Sequence, residues 1–160
     1  FKIGDTFSEG ETINYVGIPN FSPEHFKYIV NKDPLKSKQL SKGIYQLMDE
    51  GVAQLFVLEL NGRKIIGTVG ALQFEVIQYR LEHEYGAKCS YENINIYKAC
   101  WIEKSDMKDD KEYRDFKKLK NKFLARDKRG KLVYLADSKF SLELAQQKYS
   151  SLKFHQKSEF

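Results

Sequence analysis

The chain has 160 residues, of which 41% are hydrophobic, and a net charge of +5. This length suits one domain or two small ones with a real core. The longest apolar runs, 52–60 and 65–72, are too short for a membrane helix, which needs about 20 residues. Cys89 and Cys100 lack CxxC spacing, so we expect buried, reduced thiols.

The first 15 residues do not form a domain by themselves. FKIGDTFSEGE has the pattern of a strand end followed by a polar loop, with few apolar residues. Pro19, Asn20 and Pro23 follow and mark a linker, so we place a boundary near 15–17. Because the chain opens on Phe1 and not on Met, we expect it to be a fragment of a longer protein.

The next segment predicts a strand and an amphipathic helix. A strand over 25–30 is followed by Asp33-Pro34, a typical helix start in which Asp33 caps and Pro34 takes the first position. The helix is predicted to run to about Glu50, with Gly51 just past its end. Its apolar stripe has the spacing i, i+4, i+7 and i+8 and consists of Leu40, Ile44, Leu47 and Met48.

A hairpin and a second helix complete the first half. Asn61-Gly62 between two β-rich runs is a strong hairpin signal, and a helix follows between Gly70 and Gly86. A strand near 87–91 then gives the order β-α-β-β-α-β. This order predicts an α+β, ferredoxin-like split βαβ half, with helices on one face of an antiparallel sheet.

The helix between Gly70 and Gly86 has apolar residues on two sides. Phe74, Ile77, Leu81 and Tyr85 form one stripe, and a second stripe of Leu72, Val76 and Tyr79 lies nearly opposite. We expect the second stripe to be covered by the tail of the chain. The alternative is that these side chains are exposed. His83 has no second histidine four residues away, so a metalloprotease pattern is absent.

The rest of the chain predicts the same order of elements in a looser form. We expect a strand over 97–103 and a helix over 109–123 with Tyr113, Phe116, Leu119 and Phe123 inside. A hairpin turning at 128–130, a helix capped by Asp137 or Ser138, and a last strand in LKFHQ follow. Trp101 lies at alternating spacing and is expected in the core. The predicted division is a short leading segment that does not form a domain (1–15), a ferredoxin-like subdomain (16–104) and a basic α+β subdomain packed on it (105–160).

Positive charge is concentrated in the last third. Residues 1–104 carry 12 Lys and Arg against 13 Asp and Glu, whereas residues 105–160 carry 15 against 9. Clustered basic side chains suit phosphate contacts without base recognition, although a solvated charged helix would look the same. The RNA-binding candidates are Lys117, Lys118, Lys120, Lys122, Arg126, Lys128, Arg129 and Lys131.

Four segments in their order and spacing resemble a known family. GIPNFSPEHF, KDPLKSKQL, GALQFEVIQYRL and LVYLADS are similar to the C-terminal region of the bacterial peptide chain release factor 3 family of translational GTPases. The resemblance covers nearly the whole chain and implies that residues 1–15 are the remnant of a preceding β-barrel domain. It also makes the eight basic residues candidates for ribosome binding. It implies a cytoplasmic, monomeric protein whose partners are the small ribosomal subunit and a class-I release factor, with no membrane partner.

The resemblance also implies where the chemistry lies. The family binds GTP and Mg in an N-terminal domain and promotes departure of class-I release factors from the ribosome. This chain has no GxxxxGK[ST] loop, so we expect no catalytic residue, metal site or cofactor in it. Asn31-Lys32-Asp33 resembles a guanine-binding signature but is predicted to be a helix entry. The alternative function is a small-molecule-binding regulatory domain of ferredoxin-like fold, which would need a pocket with convergent polar groups.

Overall fold

The computed structural model describes residues 22–104 and 111–157. The first half of the chain alternates strands and helices in the predicted β-α-β-β-α-β order. Its elements are β1 (His25–Asn31), α1 (Ser37–Asp49), β2 (Gln54–Leu58), β3 (Lys64–Thr68), α2 (Leu72–Tyr85) and β4 (Cys89–Asn93). The predicted remnant, 1–15, lies outside the described residues.

The second half has the same order of elements. They are β5 (Lys98–Lys104), α3 (Lys111–Leu119), β6 (Leu124–Asp127), β7 (Leu132–Ala136), α4 (Lys139–Lys148) and β8 (Leu152–His155). A 3₁₀ turn, Asn121–Phe123, lies between α3 and β6, so the predicted helix over 109–123 ends four residues early. Its predicted start lies outside the described residues. Ser138 and not Asp137 caps α4, because its hydroxyl accepts the N–H of Ser141 at 3.0 Å.

All eight strands form one antiparallel sheet in the order β4-β1-β3-β2-β6-β7-β5-β8. The first four strands lie in the order β4-β1-β3-β2. The last four lie in the order β6-β7-β5-β8, which is the same arrangement read in the opposite direction across the sheet. The chain is therefore two ferredoxin-like units that share one sheet. They join where β2 pairs with β6, with Leu58 opposite Ala125 and Phe56 opposite Asp127.

The two units pack through the sheet faces that their helices leave open. Alternate residues of a strand point to opposite faces: Leu55 packs under α1 and α2, and Cys100 packs under α3 and α4. Phe56 and Trp101 point the other way and meet, with ring centroids 5.7 Å apart. Their strands are three spacings apart in the sheet, about 14 Å if it were flat, so the sheet folds over on itself between them.

This central layer explains the burial of Trp101, which has no exposed surface. Its position in the core is confirmed. The layer also contains Phe26, Ile65 and Val133, and Ile94 and Ile96 from the β4–β5 connection pack against it. The four layers are therefore helices, sheet, sheet and helices.

The ends of α1 follow from local chemistry. The Asp33 carboxylate accepts the N–H of Leu35 at 3.1 Å and Pro34 opens a 3₁₀ turn that leads into the helix. Gly51 follows the helix with φ of 79°, a left-handed conformation that glycine adopts without strain. The predicted stripe Leu40, Ile44, Leu47 and Met48 is buried.

The covered second stripe predicted for α2 is wrong. Leu72, Val76 and Tyr79 are 68%, 43% and 63% exposed, whereas Phe74, Ile77 and Leu81 are buried on the sheet. The described part of the second half does not reach this helix face, because it attaches through β2 and the opposite face of the sheet. On the buried side of α2, the hydroxyl of Tyr91 in β4 donates a hydrogen bond to the Phe74 carbonyl at 2.7 Å and so attaches the helix to the sheet.

Strand β5 belongs to the second unit by its pairing. It bonds to β7 and β8, with Cys100 opposite Tyr134 and Trp101 opposite His155. The predicted division at 104 places this strand in the first subdomain, so the pairing moves the division to the connection between β4 and β5. The basic tail needs β5 because β7 and β8 would otherwise have no strand between them.

Candidate nucleic-acid interface

The eight basic candidates fall into two neighbouring groups. The first, which we name the lysine cluster, consists of Lys117 and Lys118 in the last turn of α3, Lys120 just after it, and Lys122 in the 3₁₀ turn. The second, named the hairpin tip, spans the β6–β7 turn and consists of Arg126, Lys128, Arg129 and Lys131.

Aromatic packing under α3 orients the lysine cluster outward. Phe116 is fully buried and makes edge contacts with Tyr134, Tyr149 and Phe154, with centroid distances of 5.6, 5.0 and 5.9 Å. With about 100° per residue, Lys117 and Lys118, which directly follow Phe116, point away from the core. The predicted inward position of Leu119 is wrong, since this residue is 58% exposed, because the helix ends there.

The lysine cluster keeps its charge available. Lys117, Lys118 and Lys122 are exposed and Lys120 is half-buried. None of the four forms an ion pair with another residue in the described parts of the chain. The ammonium of Lys117 lies over the Tyr113 ring at 5.0 Å, a contact that leaves its N–H groups open to a second partner. Four cations within six residues create a local positive potential.

The hairpin tip is held by acidic residues of the first unit. Arg126 Nε donates to Glu59 Oε1 at 2.9 Å, and its Nη1 donates to the Gly130 carbonyl at 3.1 Å. Lys128 forms an ion pair with Asp49 at the end of α1. Burial lowers the pKa of Lys128, while the nearby carboxylate favours its charged form. Two of the four cations in this group are therefore neutralised locally.

The turn itself is shaped by Asp127. Its Oδ1 accepts the N–H groups of Arg129 and Lys131, both at 2.9 Å. Gly130 has φ of 85°, which supplies the left-handed residue that this turn requires. The predicted turn at 128–130 is confirmed, and its backbone is rigidly held.

The guanine-binding resemblance at Asn31-Lys32-Asp33 has a local explanation. Asn31 Oδ1 accepts the N–H of Asp33 at 2.9 Å and its Nδ2 donates to Ser37 Oγ at 3.0 Å. The polar atoms that would bind a base are thus used to turn the chain into α1, and these residues do not fit a guanine site. Among the described residues, no three His, Cys, Asp or Glu side chains form a possible metal site.

A cavity of about 320 Å³ lies beside the start of α1 and bears on the regulatory-domain alternative. Asn31, Ser37, Arg63 and Lys64 contribute its polar lining. Arg63 Nη2 donates to Glu92 at 2.8 Å and its guanidinium lies 3.7 Å from the Tyr28 ring centroid. Because Asn31 and Arg63 bond to neighbours within the fold, the lining does not converge on a ligand position.

No helix within the described residues has the length and apolar character needed to cross a membrane.

Two comparisons with known proteins bear on this chain. A family model described as class II release factor RF3, C-terminal domain, matches residues 15–146. A crystal structure of a protein from Thermus thermophilus is similar at 17% identity and a TM-score of 0.41, over 62% of this chain. This chain spans 17% of the length of that structure, and a likeness at this score carries no argument about function.

Proposed function

Because this chain belongs to the family of class II release factor RF3 C-terminal domains, we propose that it positions a translational GTPase on the small ribosomal subunit. The observation that carries the proposal is the family match together with the lysine cluster. The match shows that the chain belongs to a family of C-terminal domains of release factors. The cluster gives it a surface that suits the phosphate backbone of ribosomal RNA.

The charge distribution supports phosphate contact by the lysine cluster more than by the hairpin tip. Lys117, Lys118 and Lys122 are exposed and have no described carboxylate partner. Arg126 and Lys128 would have to leave Glu59 and Asp49 before they could bind a phosphate. We therefore propose that the lysine cluster makes the first contact with RNA and that the tip contributes less.

In this proposal the chain neither makes nor breaks a covalent bond. GTP and Mg bind a separate N-terminal part of the longer protein, and the nucleotide state changes how the whole factor sits on the ribosome. The class-I release factor then departs when the bound arrangement of the GTPase competes with it. Such coupling needs two arrangements of the whole protein that bind the ribosome differently. The chain acts as a monomer in the cytoplasm.

Cosedimentation tests the proposal directly. The 160-residue chain is mixed with purified small ribosomal subunits at about 50 and about 200 mM salt, and the pelleted fraction is measured. Four phosphate contacts predict a loss of affinity on the order of 50-fold between these conditions. Binding that is absent at both salts, or insensitive to salt, would contradict the proposed role.

A further inference from the structure

The exposed face of α2 forms a continuous apolar stripe. At 100° per residue, Leu72, Val76 and Tyr79 fall within about 60° of arc, and His83 falls between them. The three apolar side chains are 68%, 43% and 63% exposed. A surface helix of a globular protein needs only one apolar face, and that of α2 is already used by Phe74, Ile77 and Leu81.

The stripe is held in a fixed shape at its C-terminal end. The rings of Tyr79 and His83 stack with centroids 4.0 Å apart and an interplanar angle of 19°. His83 Nδ1 donates to the Tyr79 carbonyl at 2.9 Å, which orients the imidazole. A partner would therefore meet a preformed aromatic surface and lose little side-chain freedom on binding it.

The charges beside the stripe are acidic. Glu75 and Glu82 border it on one side, are exposed, and form no ion pair within the described residues. Arg80 borders it on the other side, but its guanidinium bonds to Glu50 at 2.7 Å and Glu84 at 2.8 Å. Two carboxylates thus face the partner while the one neighbouring cation is neutralised.

The second unit provides a natural comparison. Leu142 and Ala145 of α4 and Tyr149 just past its end are buried and have the same spacing as Phe74, Ile77 and Leu81 of α2. In this alignment Phe140 and Leu144 correspond to Leu72 and Val76, and are 69% and 47% exposed. Lys139 and Lys148 lie at the ends of α4. Glu143 and Ser150 correspond to Glu75 and Glu82. The apolar pair is thus repeated, but α2 has both border carboxylates whereas α4 has one.

We propose that the face of α2 formed by Leu72, Val76 and Tyr79 docks a basic, apolar segment of a protein, and that this protein is a component of the small ribosomal subunit. The apolar stripe would bury the partner's apolar side chains, and Glu75 and Glu82 would pair with its Lys or Arg residues. The same carboxylates repel phosphate, which disfavours RNA as the occupant. The identity of the subunit as partner rests on the proposed function.

Site-specific photocrosslinking tests this assignment. p-Benzoylphenylalanine replaces Tyr79 in the 160-residue chain, and Phe140 in a control, and each is irradiated with purified small subunits after cosedimentation. We expect the Tyr79 position to form an adduct with a Lys- and Arg-rich subunit protein and the Phe140 position to form none above the background without irradiation.

Charge reversal adds a second readout. Glu75→Lys with Glu82→Lys should reduce the Tyr79 adduct by about tenfold, because like charges then face each other, whereas Glu143→Lys on α4 should leave it unchanged. Circular dichroism confirms that each variant folds.

Any of the following results would overturn the proposal. Adducts with ribosomal RNA, with residues of the same chain or with a second copy would identify a different occupant. An unchanged yield of the Tyr79 adduct in the variant with Glu75→Lys and Glu82→Lys would show that these carboxylates do not pair with the partner. If the chain cosediments and Tyr79 forms no adduct, only this inference fails. If the chain does not cosediment at all, the proposed function fails and this inference fails with it.

Discussion

The indole Nε1 of Trp101 donates a hydrogen bond to Oδ2 of Asp127 at 2.9 Å. Trp101 lies in the buried layer between the two halves of the sheet, and Asp127 ends β6. The other oxygen of the same carboxylate accepts the N–H groups of Arg129 and Lys131. One side chain therefore connects the central core to the basic turn on the surface.

Replacing Asp127 with Ala should destabilise the protein and loosen the turn. Three donors lose their acceptor, including the buried indole N–H, and we expect a loss of about 2–3 kcal/mol in the free energy of unfolding. Denaturant unfolding followed by the fluorescence of Trp101, the single tryptophan, measures it. Asp127→Asn keeps one carbonyl oxygen for the turn and should lose less. Equal losses in the two variants would show that the turn contacts do not matter.

Truncating Phe74 tests how α2 is attached. This side chain is 3% exposed and its ring meets that of Tyr91 edge-on at 5.3 Å, so Phe74→Ala should lower the unfolding free energy by about 3–5 kcal/mol. Leu72→Ala on the exposed stripe is the matched control and should change it by less than about 0.5 kcal/mol. A large loss in the control would mean that the stripe is covered in solution.

The close approach of α1 and α2 depends on Gly43. A Cβ at this position would lie 2.6 Å from Leu81 Cδ2 and 2.9 Å from the Tyr85 ring. Alanine gains about 1 kcal/mol of helix propensity, but overpacking against buried Leu81 costs about 1–3 kcal/mol. We therefore expect Gly43→Ala to be destabilising by about 1 kcal/mol in urea unfolding, whereas Gln39→Ala on the exposed face of α1 is neutral or stabilising. A gain in stability for Gly43→Ala would contradict this packing.

The two thiols should be unreactive in the native state. Burial raises the pKa of both Cys89 and Cys100 to about 11, so at about pH 8 the thiolate fraction falls by about 100-fold from that of an unshifted thiol. Alkylation should be at least that much slower than after denaturation. Because the folded pKa exceeds the unfolded one, the stability linked to each thiol is full below about pH 9 and is lost as the pH rises toward about 11. Rapid labelling of either native cysteine would contradict the burial.

Local signals were enough to predict most elements of the fold. The hairpin at Asn61-Gly62, the helix start at Asp33-Pro34 and the glycine after α2 each depend on a few adjacent residues. The pairing of β2 with β6 joins residues about 70 positions apart, and no local pattern reports it. For this reason the sequence predicted a looser α+β tail packed on the first half, and the second ferredoxin-like unit was missed.

Charge partners across the two units were also beyond sequence analysis. The spacing of the eight basic residues was visible, but Glu59 and Asp49, which bind Arg126 and Lys128, lie in the other unit. The apolar stripe of α2 could also be identified from the sequence, but the exposure of its side chains could not. Periodicity identifies an apolar face, whereas its burial depends on which surface the fold brings against it.

The most direct test of the proposed contact between the lysine cluster and ribosomal RNA is the salt dependence of ribosome binding after the cluster is removed. Lys117, Lys118, Lys120 and Lys122 are replaced with Ala together, and the control replaces Lys32, Lys36, Lys38 and Lys42 beside and on α1. Each set removes four charges and contains three exposed lysines and one half-buried lysine. Cosedimentation with small subunits across a salt series gives the slope of log affinity against log salt. We predict that the slope falls by about 3 in the first variant, since each phosphate contact contributes about 0.7–0.9, and stays unchanged in the control. An unchanged slope in the first variant, or an equal fall in both, would contradict the account.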